Sequence, residues 1–321
     1  MTKINIAVAR GGPSNEHEIS LKSGQTIINN LNQKKYNIFD LVIQKNGKWI
    51  LNNENITPEE LKNKIDIVFP IFHGEYGESG DFQKILENLN IKYIGTNSKS
   101  SKLSFSKIQT KEKLIANNIP TPNFLKFSTK NLDINKTAQE IENTFLFKKI
   151  IKASESGSSF GIYISDSLEE TKTALKKLKH EFNEILIEPF IMGKEYTCGI
   201  LEGWKGEKYY ALPVVEIIPD NSFFDFESKY QGKVQEICPA LINEELTNKI
   251  QNLSKKVFDI LGLKDFSRID FIHCPNSGLY VLEANNLPGM TEASLYPQEL
   301  NADNISLNKF IDFIIEKNLK D

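Results

Sequence analysis

Residues 266–295 read FSRIDFIHCPNSGLYVLEANNLPGMTEASL and put ionisable side chains where an ordinary strand would put apolar ones. Residues 267–273 alternate, Pro275-Asn276-Ser277-Gly278 supplies turn chemistry, and residues 279–285 form a second apolar-rich run. The stretch is predicted to be a β-hairpin. Pairing the two runs antiparallel about the turn sets Asp270 opposite Glu283 and Arg268 opposite Asn285, and the side-chain period of two then puts all four on one face.

Directly opposed carboxylates repel and destabilise a sheet. A hard divalent cation held by oxygens is the compensation that suits Asp, Glu and Asn together, and magnesium is the natural ion. Zinc would need cysteine and histidine ligands at a spacing this stretch lacks. The plainer alternative is a solvated outer face on which Arg268 bridges to one carboxylate. The next segment shifts the balance toward a site, because Leu287-Pro288-Gly289-Met290-Thr291 leaves the strand in a Pro-Gly turn and delivers backbone amides beside the cluster.

Outward from the hairpin, 321 residues are enough for two or three lobes with buried cores, and 40% hydrophobic with 25% charged residues is a globular composition. A formal net charge of -3 gives no global attraction to nucleic acid or to an anionic membrane. Cys198, Cys238 and Cys274 are widely separated, with no CxxC pair, so the expectation is a reduced, cytoplasmic protein without a disulfide framework or zinc ribbon. The opening MTKINIAVARGG reads as a strand entering a glycine turn rather than a signal peptide, and no apolar run is long enough to span a membrane.

The fold class read from the element order is α/β. Residues 4–9 form a buried strand, Gly11-Gly12-Pro13-Ser14 a turn, and a helix follows with Glu16 and Glu18 at its start. Acidic residues at that helix start suit an ammonium better than a phosphate, although they also simply complement the helix dipole. Residues 65–72 form an apolar strand whose end carries His73-Gly74 and a loop through Gly80, the edge where open α/β sheets place ligands. A boundary is expected near residue 96.

Beyond it come strands at 123–127 and 147–152, then a small-residue loop 153–161 with Lys148, Lys149 and Lys152 beside it. Such a loop can lay amides and hydroxyls over phosphates, though it is not a P-loop. Residues 184–189 form a strand expected to open the last lobe, and residues 193–201 and 209–218 form two more. Residues 221–233, NSFFDFESKYQGK, lack regular periodicity and read as a functional loop. A helix at 244–261 leads into the hairpin, and another closes the chain.

Six stretches in order, GGPSNEHEISLKSG, HGEYGESGDFQ, SKLSFSK, KASESGSSFG, FFDFESKY, and RIDF followed by LEANNLPGMTEASLYP, make the chain resemble the D-alanine:D-alanine ligases of the ATP-grasp superfamily. The resemblance implies a three-lobed architecture. It comprises a Rossmann-like parallel-sheet domain at 1–95 and two α+β lobes, at 96–183 and 184–321, that grip ATP. It implies ligation of two D-alanines through an acyl phosphate for peptidoglycan synthesis, with ATP and two Mg2+, or Mn2+, as cofactors, no nucleic-acid or membrane partner, and a homodimer. The alternatives are an ATP-grasp ligase for another amino-acid pair and a nucleotide-binding protein without turnover.

The resemblance also implies residue roles. Asp270, Glu283 and Asn285 would hold the metals, and Lys107, Lys152 and Lys229 the phosphates. Glu188 and Glu195 would bind adenine and ribose, with Phe147 and Ile191 flanking the ring. Glu16 would pair with the first substrate's ammonium, and Ser158 and Tyr230 would link to Glu16 and close loops over the site. Arg268 and the Gly289 amide would stabilise the oxyanion, Ser294 and the Leu295 amide would hold the second carboxylate, and His73 would lie near that subsite. Ala153, Ser156, Phe224 and Phe226 depart from the family pattern, which bears on loop closure more than on chemistry. Tyr230 stands where ligases that make the D-lactate ester typically have phenylalanine, which favours an amine as the second nucleophile.

Overall fold

The computed structural model describes residues 3–157, 160–219 and 234–320. Three sheets organise the chain. In the first, β1 (Ile4–Gly11) lies parallel to β2 (Tyr36–Ile43) on one side and to β5 (Ile67–Ile71) on the other. Two short antiparallel strands, β3 (Trp49–Leu51) and β4 (Glu54–Ile56), extend the β2 edge. All five residues of β5 are buried, as expected of a parallel strand covered on both faces. The turn after β1 depends on glycine: Gly11 has φ +91°, and a Cβ there would come within 2.4 Å of the Ile43 carbonyl.

The second sheet has the order β6 (Leu125–Ser128), β9 (Glu184–Pro189), β7 (Lys149–Ala153), β8 (Ile162–Ser165), all antiparallel. The strand expected to open the last lobe, β9, is therefore hydrogen-bonded in the middle of this sheet. Ile185 and Ile187 pack with the helices Ile134–Thr144 and Leu168–Glu181, so sheet pairing overrides the closeness of β9 in sequence to the strand after it.

The third sheet has the order β13 (Val234–Ile237), β12 (Val215–Pro219), β10 (Lys194–Glu202), β14 (Phe266–Cys274), β15 (Gly278–Asn285), with β11 (Tyr209–Ala211) also on β10. Residues 209–218, expected as one strand, are two. The Leu212 amide still donates to the Gly199 carbonyl of β10 at 2.9 Å, and the ladder stops at Pro213, which has no amide to give.

β14 and β15 form the expected hairpin, with Asp270 opposite Glu283 and Arg268 opposite Asn285. The register then shifts. Phe271 faces Val281, leaving Leu282 as the extra residue of a bulge immediately beside Glu283.

Helix formation before the second sheet is a matter of capping. Asn97 caps a helix at Ser98–Phe105 that sequence periodicity did not reveal, its side chain accepting from the Ser100 amide at 2.9 Å. Ser106 then caps the helix Lys107–Ala116, which begins on Lys107 and buries Lys107, Lys111 and Leu114. The first sheet shares one core with the hairpin side of the third, in which Phe69, Phe266 and Phe310 meet. The second sheet has a core of its own. Among the described residues no helix is long and apolar enough to cross a membrane.

Candidate active site

Between the second and third sheets lies a cavity of about 600 Å³. Nine of the residues singled out in the sequence line it: Lys107, Lys152, Glu188, Ile191, Glu195, Arg268, Asp270, Glu283 and Leu295. They come from positions as far apart as 107 and 295, and only the facing of two sheets brings them together.

On the hairpin wall Arg268 is 7% exposed and donates from Nε and Nη2 to the two oxygens of Asp270, both at 2.8 Å. The residues are two apart on one strand, so the period of two puts the guanidinium beside the carboxylate. The Thr197 hydroxyl adds a third bond to Asp270 Oδ1 at 2.6 Å. Burial opposes the Arg268 charge, but Asp270, Glu299 and Glu283 together raise the guanidinium pKa further. The Arg268 bridge considered for a solvated face is thus present, but on a buried one.

Glu283 Oε2 lies 3.6 Å from the ammonium of Lys107, which also donates to the Ser156 carbonyl at 2.7 Å. Burial lowers the Lys107 pKa, with Glu283 pulling the other way. Among the described residues no group of three or more His, Cys, Asp and Glu gathers to hold a metal. Asp270, Glu283 and Asn285 are two carboxylates and an amide. That all-oxygen set fits a magnesium ion that completes its shell with water and substrate phosphates rather than a protein cage. Asn285 Oδ1 accepts from the Leu287 amide at 3.0 Å, which fixes the side chain where the strand ends.

Across the cavity, Glu188 is 2% exposed and pairs through Oε1 with Lys111 and through Oε2 with Lys152. Burial alone would raise the Glu188 pKa, but Lys152 and Lys111 together bring it below the ordinary value. Phe190, with the Lys148 ammonium 4.8 Å from its ring centre, adds an aromatic face to the cavity. Phe147 does not line the cavity and is 83% exposed.

A second group of expected residues gathers around the start of the helix His17–Asn30 and the exit from β15. Glu16 is buried, and its Oε2 occupies the space that a Cβ on Gly74 or Gly157 would need, at 2.8 and 2.7 Å. Gly157 thus lets the β7–β8 loop approach the first sheet. His73 Nε2 is hydrogen-bonded to the Ser23 hydroxyl at 2.9 Å, and the Met290 amide donates to the same hydroxyl at 3.5 Å. A Cβ on Gly289 would lie 2.7 Å from Ser294 Oγ and 3.9 Å from the His73 ring. His73, Gly289 and Ser294 therefore share one neighbourhood. Ser158, Lys229 and Tyr230, with Phe224 and Phe226, lie outside the described residues.

Lys111, Thr197, Phe190 and Ser23 were missed. Lys111 had a signal, since it stands four residues after Lys107 on one helix face. Thr197 had none, because it meets Asp270 only through the pairing of β10 with β14.

A parallel α/β sheet followed by two sheets that close on a charged cavity is the architecture of an ATP-grasp enzyme. The family described as "D-ala D-ala ligase C-terminus" matches residues 114–316, and "D-ala D-ala ligase N-terminus" matches 5–64 and 52–96. The D-alanine--D-alanine ligase of Carboxydothermus hydrogenoformans is 36% identical over 315 residues, 97% of each chain. The VanG D-Ala:D-Ser ligase of Enterococcus faecalis superposes with a TM-score of 0.87 at 28% identity, covering 99% of this chain and 100% of that one. The Bacillus anthracis D-alanine--D-alanine ligase complexed with ATP gives 0.79 at 28% identity, covering 99% and 98%. The chain belongs to the D-alanine--D-alanine ligase family.

Proposed function

We propose that this protein joins two D-alanines into D-alanyl-D-alanine at the expense of ATP, as a cytoplasmic step of peptidoglycan synthesis. The observation that carries the reading is the convergence of Lys107, Lys152, Glu188, Glu195, Arg268, Asp270 and Glu283 on one cavity of about 600 Å³. It supplies cations for phosphates, oxygens for magnesium and an apolar slot beside Ile191.

In this reading ATP lies between the second and third sheets, with its base near Ile191 and Glu188, its ribose at Glu195, and its phosphates at Lys107, Lys152 and Lys229. Asp270, Glu283 and Asn285 would hold two magnesium ions, or manganese in their place, which would supply positive charge to the phosphates. Glu16 receives the ammonium of the first D-alanine, and Ser158 and Tyr230 link to it to close the site. The carboxylate of that substrate attacks the γ-phosphorus, the bond to ADP breaks, and an acyl phosphate results.

Closure over Glu16 keeps water from this intermediate. The amine of the second D-alanine then attacks the acyl carbon, forming the C–N bond and releasing phosphate after the amine gives up its proton. Arg268 and the Gly289 amide stabilise the oxyanion of that step. Ser294 and the Leu295 amide hold the second carboxylate, with His73 beside them. The lobes assigned to these tasks are 1–95, 96–183 with β9 added to its sheet, and the rest of the chain to 321, and the assembly is a dimer of this chain by analogy with the family.

Purified protein with ATP, magnesium and D-alanine is expected to release phosphate and dipeptide in equal amounts. Parallel reactions adding D-serine or D-lactate as second substrate are expected to give far less mixed product. Absence of D-alanine-dependent phosphate release would overturn the reading, and a preference for another second substrate would revise it.

A further inference from the structure

Lys111 is fully buried, does not line the cavity, and has no part in the proposed reaction. Besides its bond to Glu188 Oε1, its ammonium donates to the Thr121 hydroxyl at 2.7 Å and to the Pro122 carbonyl at 3.3 Å. One ion pair and two hydrogen bonds thus hold the ammonium. Thr121 in turn donates to the Val281 carbonyl on β15 at 2.9 Å, and the Val281 amide donates to the Pro120 carbonyl at 2.9 Å. Lys111 is therefore pinned from both walls, next to the bulge that sets Glu283.

Lys152 pairs with the other oxygen of Glu188 and does face the cavity. One buried carboxylate thus has two ammonium partners, one enclosed and one at the cavity surface. A buried carboxylate whose only counter-ion leaves is strongly destabilised. With two, the outer one is free to leave without exposing the acid to that penalty.

We propose that Lys111 is a positioning residue, the fixed counter-ion of Glu188, which lets Lys152 pass from Glu188 to a nucleotide phosphate when ATP enters. The proposal rests on the assignment of the cavity to ATP. The handover does two things at once: it brings a cation to the phosphate and opens Glu188 Oε2 to a neutral donor such as the adenine amino group. Burial pulls the Lys111 pKa down to about 8, with Glu188 the chief opposing influence, so the acid in turn keeps the lysine charged at neutral pH.

The test is a double-mutant cycle on the full chain, reading the dissociation constant of ATP with magnesium by calorimetry and the melting temperature without nucleotide. Lys111→Met is expected to weaken ATP about 30-fold, or about 2 kcal/mol at about 1.4 kcal/mol per tenfold. Loss of the Thr121 and Pro122 contacts is expected to lower melting similarly in both Glu188 backgrounds, so the difference in ATP affinity between backgrounds is the deciding readout. In a Glu188→Gln background the same substitution is expected to cost less than about threefold, since no buried charge needs balancing. Lys111→Gln, which keeps donors for Thr121 and Pro122 but not the charge, should repeat both affinity results and replaces the methionine variant if that one fails to fold. Equal losses in the two backgrounds, or no loss in the wild-type background, would overturn the role of Lys111. Wild-type protein that does not bind ATP would overturn the nucleotide assignment instead.

Discussion

The two walls of the cavity both bury charge, and they do so by opposite means. On the hairpin wall one guanidinium grips one carboxylate from two residues away on the same strand, with Thr197 completing the grip. On the other wall one carboxylate is shared by two lysines from different elements, Lys111 on a helix and Lys152 on β7. The first arrangement is fixed by strand geometry and suits groups that must stay aimed at a reacting centre. The second has a cation to spare and suits a site whose charges rearrange as a polyphosphate enters. On the proposed reading, the difference separates chemistry from nucleotide holding.

Substitutions can break that division, and the largest effect is expected at Arg268. Arg268→Ala should lower dipeptide formation about 1,000-fold, the scale of removing an oxyanion donor. ATP affinity measured by calorimetry should stay within a few-fold of wild type, whereas a comparable loss of ATP binding would erase the distinction between the walls.

Next comes Lys152→Met, which should raise the dissociation constant of ATP about 100-fold, the scale of a charge-assisted contact to phosphate. Its turnover at saturating ATP should fall less than that of Arg268→Ala, as steady-state kinetics would show.

Thr197→Val keeps the shape and removes the hydroxyl that orients Asp270. An outer partner of this kind is worth about tenfold in metal affinity, read as a higher magnesium concentration for half-maximal activity.

The smallest effect is on stability. Behind Arg268, Glu299 is fully buried, neither carboxyl oxygen has a hydrogen-bond partner among the described residues, and a Cβ on Gly199 would lie 2.3 Å from its Oε2. Burial raises its pKa well above the ordinary 4.5 despite the attraction of Arg268. As pH rises from about 4.5, the unfolded chain gives up this proton while the folded chain keeps it, so the Glu299 contribution to stability falls with pH. Glu299→Gln should remove that slope. It should melt with wild type near pH 4.5 and about 2 °C or more above it near pH 8, as thermal unfolding would measure. Parallel pH profiles would contradict this.

The same contrast explains what could be read in the sequence. The hairpin wall lies within residues 266–289, so period two and turn chemistry sufficed to place Arg268, Asp270, Glu283 and Asn285 on one face. The bulge at Leu282 escaped, because nothing in an apolar run marks an extra residue. The lysine wall is assembled from residues 107, 111, 152 and 188, which meet only when β9 inserts between β6 and β7. That insertion has no local signature, and it is also why β9 looked like the start of the next lobe. Lys107 and Glu188 came from resemblance to a family rather than from spacing, whereas Lys152 was legible beside the small-residue loop. Lys111, outside the quoted motifs, was passed over despite sharing a helix face with Lys107. The cluster of Glu16, His73 and Gly289 was legible as separate loop residues, but not as one neighbourhood.

Metals and phosphates lying between these two walls are the central claim. Its most direct test is anomalous diffraction from crystals of the full chain grown with manganese and a non-hydrolysable ATP analogue. Manganese peaks bonded to Asp270 and Glu283 oxygens, with Lys152 on a phosphate and Lys111 still on Glu188, are the predicted result. Manganese absent from the hairpin, or Lys152 still paired with Glu188 beside a bound nucleotide, would contradict it.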